Sequence, residues 1–114
     1  MNELATLANN LIGHLNGTFD LSDDEFNRLQ HEFGRVLQQT NDATHIKEVV
    51  AVESQAWLLP FELVERLYLR AEELGIIDDD MVMWYASRLM FYGEPSDERK
   101  AQELLSRHGL SLPQ

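Results

Sequence analysis

Leu4, Leu7, Ala8, Leu11, Ile12 and Leu15 recur at the i, i+3, i+4, i+7 spacing, with Asn9, Asn10 and His14 falling elsewhere, and this predicts an amphipathic helix. "NGTFDL" follows as a glycine stop and turn. "SDDE" at 22–25 has the spacing of a capping box, in which Ser22 and Glu25 satisfy each other's backbone amides at the start of a second helix. Phe26, Leu29, Phe33, Val36 and Leu37 are its stripe, and Gly34 weakens it by about 1 kcal/mol relative to alanine. In 45–57 the β-branched density suits a strand while Ile46, Val49 and Val50 suit a helix. Helix is expected, because an isolated strand has no partner. Pro60 opens a fourth helix with the stripe Leu63, Val64, Leu67, Tyr68, Ala71 and Leu74, ended by Gly75. Asp78, Asp79 and Asp80 cap a fifth over 79–93, closed by Gly93. Pro95, Ser96, Asp97 and Glu98 start a short last one with Ala101, Leu104 and Leu105 inward and Gly109 as its stop. The pattern predicts an all-α fold, a compact antiparallel bundle or short solenoid of about five to six helices.

The fifth helix departs from that simple pattern. In "DDDMVMWYASRLMFYG" the twelve positions after the aspartates hold only two plainly polar side chains, Ser87 and Arg88. At 100° per residue Val82, Tyr85, Ala86 and Leu89 form one stripe, Met81, Trp84, Arg88 and Phe91 a second, and Met83, Ser87 and Met90 a third. One reading makes this the central helix, covered on every side; burial of Arg88 then requires a carboxylate partner. The other makes Met83, Trp84, Met90, Phe91 and Tyr92 the lining of a groove or dimer seam, where adaptable methionines and aromatic anchors are favoured. "WLLPF" at 57–61 is a second apolar cluster, read as a wedge between helices.

Residues 83–113 resemble one tetratricopeptide repeat, a pair of antiparallel helices with aromatic and small residues in the first, an alanine opening the second and a proline after it. Trp84, Tyr92, Ala101, Leu105 and Pro113 carry the resemblance, and Tyr92, Ala101 and Pro113 have the family's spacing. The chain departs from it at Ser87 and Arg88, where leucine and glycine are wanted, and its second helix sits one residue late. An upstream echo lies in Val64, Tyr68 and Ala71.

Length and composition then bound the picture. At 114 residues, with 44% apolar and 25% charged side chains, the chain reads as a single helical domain over 1–114 with one core. Twenty Asp and Glu against nine Lys and Arg give a net charge of −11. Direct nucleic-acid binding and anionic membranes are disfavoured, since both need clustered cations. The acid gathers in 20–32 and 72–80, as solvated helix starts or as patches that a basic partner reads. With no cysteine, no signal-like N-terminus and no apolar run beyond about six residues, a cytoplasmic location is expected.

Candidate chemistry is sparse. His14, His31, His45 and His108 are scattered, and "HEFGR" at 31–35 has arginine where the helical zinc motif needs its second histidine. The 20–31 segment places Asp20, Ser22 and Asp24 at EF-hand ligand positions but has Glu25 for the glycine and His31 for the final glutamate. No glycine-flanked serine or phosphate loop is present, and no cofactor is implied. The expectation is therefore a non-enzymatic protein-binding module, an acidic inhibitor of the immunity or antitoxin type or an adaptor acting on a basic protein. Its binding residues are Met83, Trp84, Arg88, Met90, Phe91 and Tyr92 with Asp78, Asp79 and Asp80. The alternative is a homodimer or other homo-oligomeric structural subunit with helix 79–93 as interface. A metal-dependent enzyme built on the three aspartates and a histidine is a third reading.

Overall fold

The computed structural model describes residues 2–91 and 95–111. They form α1 (Glu3–Leu15), α2 (Asp23–Gln39), α3 (Ala43–Ala56), α4 (Phe61–Glu73), α5 (Asp79–Phe91) and α6 (Pro95–Arg107), an all-α protein with no strand among the described residues. Two compact units result, Met1–Gly75 and Ile76–Gln114.

In the first unit α1 packs on α2 and α3, and α4 closes the ring by packing on both α2 and α3. The enclosed core includes Leu11, Phe33, Leu37, Ile46, Val49, Leu59, Val64 and Leu67, all at 0% exposure. Each such side chain contributes roughly 1.5–3 kcal/mol through its removal from water. Residues 43–56 are helical despite their β-branched content: Ile46, Val49, Val50 and Glu53 repeat at i, i+3, i+4, i+7 and are the buried face.

Polar side chains fix the helix ends. Asn2 accepts the Ala5 amide at 2.7 Å and donates to Glu48 of α3 at 2.5 Å, which ties the start of α1 to its neighbour. The expected capping box forms: Ser22 Oγ accepts the Glu25 amide at 3.2 Å, and Glu25 Oε1 accepts the Ser22 amide at 3.3 Å. Between these helices, His14 Nδ1 accepts the Leu21 amide at 3.0 Å while its ring lies 4.9 Å from that of Phe26. Gly13 makes room for Phe19, since a Cβ there would stand 2.5 Å from the Phe19 ring.

Two charged residues act where the local pattern carries no warning. Arg70 of α4 donates to the Thr40 carbonyl from Nη2 and Nε at 3.1 and 3.3 Å, to Asn41 Oδ1 at 2.8 Å and to Glu73 at 2.9 Å. It therefore caps the end of α2 from another helix. Glu53, at 0% exposure, accepts the Leu58 and Leu59 amides on Oε2 at 3.3 and 3.0 Å. Those bonds hold the α3–α4 turn, where Trp57 is left-handed at φ 55° and donates Nε1 to the Ser54 carbonyl at 2.7 Å. "WLLPF" thus forms a built corner, with Leu59 its fully buried residue.

In the second unit α5 packs along α6. Asp78 Oδ1 accepts the Met81 amide at 2.8 Å and so starts α5. Val82, Ala86 and Leu89 are at 0% exposure, as is Ala101, with Leu104 and Leu105 at 8% and 5%. Lys100 Nζ lies 5.9 Å from the centroid of the Tyr85 ring. Tyr92 and Pro113, on which the repeat resemblance draws, and Gly93 lie outside the described residues.

Candidate functional site

Burial sorts the three stripes of α5. The first, Val82, Tyr85, Ala86 and Leu89, is buried throughout. In the second, Met81, Trp84 and Arg88 are buried, Trp84 at 5% and Arg88 at 1% exposure, while Phe91 at the helix end is 77% exposed. In the third, Met83, Ser87 and Met90 are all half-buried. Counted from Met83, Ser87 is at i+4 and Met90 at i+7, so these three share one face, and Phe91 at i+8 stands at its edge, next to the stripe of Trp84. Going backward, Asp80 and Asp79 lie at i−3 and i−4, and both are exposed. A single surface ridge therefore runs from two carboxylates through two methionines to an aromatic ring.

The remaining expected binding residues fall off this ridge. Asp78 is exposed but serves as the cap of α5, Trp84 and Arg88 face inward, and Tyr92 lies outside the described residues. Ser87, between the methionines, is the ridge member that residue type alone does not single out. It is shorter than the methionines at 83 and 90, whose thioethers are deformable.

The acid is distributed unequally. Residues 1–75 hold thirteen Asp and Glu against five Lys and Arg, net −8, and residues 76–114 hold seven against four, net −3. Within 20–32, Glu25 is held below the usual carboxylate range by its bonds to Ser22, and Glu32 is held low by its hydrogen bond to Arg35. The same pair raises the Arg35 guanidinium above its ordinary value. This acidic stretch is thus partly occupied with starting and bracing α2.

Between α2 and α4 lies a shallow polar cavity of about 210 Å³ lined by Asn27, Gln30, His31, Glu62, Leu63 and Arg66. Its cation is engaged, because Arg66 Nη2 meets Glu62 Oε1 at 3.1 Å, and the Arg66 guanidinium lies over Gly34. Among the described residues no group of three or more His, Asp or Glu side chains is placed to hold a metal ion, and no helix is long and apolar enough to cross a membrane. Comparison of the chain with known families, curated proteins and solved structures finds no match.

Proposed function

We propose that the protein is a non-enzymatic binding module that captures a basic protein through the exposed ridge of α5, as an inhibitor of the immunity or antitoxin type or as an adaptor. The observation that carries this reading is Phe91, 77% exposed at the end of a face that also presents Met83 and Met90. Aromatic and methionine side chains are enriched at interface centres, and acidic groups beside them steer a cationic partner. A net charge of −11 supplies the long-range field for that steering.

The test is capture on the immobilised protein from an extract of its own source, followed by binding kinetics with each purified basic protein retained. Phe91→Ala is expected to raise the dissociation rate with little change in association, and added salt to slow association. Association indifferent to salt, together with an unaltered Phe91→Ala complex, would remove the basis for the proposal.

A further inference from the structure

The shape and chemistry of the same ridge restrict what kind of segment occupies it, and the inference rests on the proposed function. We infer that the occupant is a short amphipathic helix of the partner, with apolar residues at i, i+4 and i+7 and Lys or Arg at the end that meets Asp79 and Asp80.

Size is the first restriction. Met83 to Phe91 is nine residues, about 12 Å from first to last at 1.5 Å rise per residue, or little more than two helical turns. A stable interface between folded proteins buries about 800 Å² and uses roughly 20–30 residues on each side. Six side chains on one ridge fall far short of that, but they match the two or three anchors of a bound peptide helix.

Charge is the second. A second copy of the chain would bring its own −11, and its own Asp79 and Asp80, toward this ridge. Like charges brought together across an interface are a penalty, whereas cations on a partner segment complement the two carboxylates.

Backbone chemistry is the third. The exposed positions of α5 lie on a continuous helix, whose amides are committed to its own turns, so an extended peptide finds no strand edge to extend. A second helix needs no such edge. Its apolar side chains can pack beside the short Ser87 against Met83 and Met90, by the packing of ridges into grooves.

The experiment uses the full chain with ¹³C-methyl-labelled methionine and three synthetic peptides. The first carries leucine at i, i+4 and i+7 with two lysines at one end. The second has the same composition with the leucines in alternation. The third replaces the lysines by glutamate. The inference predicts that the first peptide shifts the Met83 and Met90 methyl signals, that the other two bind at least tenfold more weakly, and that Asp79→Asn with Asp80→Asn weakens the first about threefold to tenfold. If the alternating peptide binds as well as the first, the helical occupant is wrong while capture of a basic partner through the ridge survives. If all three leave both methyl signals in place and Phe91→Ala also leaves the captured complex unchanged, the ridge is not the binding surface and both readings fall. Self-association through the ridge, seen as dimers by sedimentation that Phe91→Ala abolishes, would overturn the inference in favour of a second copy.

Discussion

Helices α4 and α5 are each 13 residues long, yet they expose their sequences to water in opposite ways. In α4 the buried residues Leu63, Val64, Leu67, Tyr68 and Ala71 make one stripe, and the charges Glu62, Glu65, Arg66, Glu72 and Glu73 fall outside it, together with a single exposed leucine, Leu69. In α5 two stripes are buried, one of them with a buried arginine, and apolar Met83, Met90 and Phe91 take the outer positions that α4 gives to charge. A helix with one apolar stripe has its orientation written into its own periodicity. One that is apolar nearly all round can be oriented only by its neighbours, and whatever they do not cover becomes surface.

Stability measurements put this contrast under strain, beginning with the largest effect. Leu67→Ala in α4 and Leu89→Ala in α5, both at 0% exposure, should each cost about 2–5 kcal/mol in urea unfolding, while Met83→Ala and Met90→Ala should cost under about 1 kcal/mol. A loss at Met90 equal to that at Leu89 would mean that the outer ridge is core after all. Next in size is Arg70→Met, which removes the cap that α4 places on the end of α2 and should cost about 2 kcal/mol. Gly34→Ala should have the opposite sign. A Cβ at this position meets only the far end of the Arg66 side chain, at 2.6 Å from Nη1, so the arginine can swing aside and the helix gains up to about 1 kcal/mol.

The smallest effect is a pH dependence at the start of α2. Glu25 and Glu32 have folded pKa values below their unfolded ones, so their contribution is present above the ordinary carboxylate range and is lost as pH falls through the depressed values. Ser22→Ala removes the largest cause of the Glu25 shift, so urea midpoints between about pH 6 and pH 3 should fall less steeply in that variant. An unchanged slope would assign the acid sensitivity to other carboxylates.

The same contrast explains what could be read from the sequence. The spacing of Leu4, Leu7, Ala8, Leu11 and Ile12, and that of Leu63, Val64, Leu67, Tyr68 and Ala71, predicts most of the buried faces of α1 and α4, but the last member of each stripe escapes burial: Leu15 is 39% exposed at the end of α1 and Leu74, past the end of α4, is half-buried, while Ala5 and Gly13 are buried beside the α1 stripe. Ser22 and Glu25 were legible because a capping box is local. Glu53 carried an overlooked signal: it sits at i+7 from Ile46, on the apolar stripe of α3, where an acid is inward unless the stripe ends. Arg70 carried none, since its carbonyl partner lies 30 residues away and no periodicity encodes that meeting. On α5 the wheel offered three apolar stripes and no polar side to choose against. Phe91 shares a stripe with Trp84 and Arg88 by angle, but it stands at the last turn of the helix and is exposed where they are buried.

The chain contains two tryptophans, and each compact unit holds one. Trp57 is half-buried, with its indole N–H bonded to the Ser54 carbonyl, while Trp84 is 5% exposed and its indole N–H has no hydrogen-bond partner among the described residues. The two chromophores therefore sit in different dielectric surroundings, and Trp84 should emit at the shorter wavelength. With Trp57→Phe and Trp84→Phe, fluorescence becomes a separate gauge for each unit. Coincident unfolding curves from the two single-tryptophan proteins would mark one cooperative transition, and divergent curves would mark two.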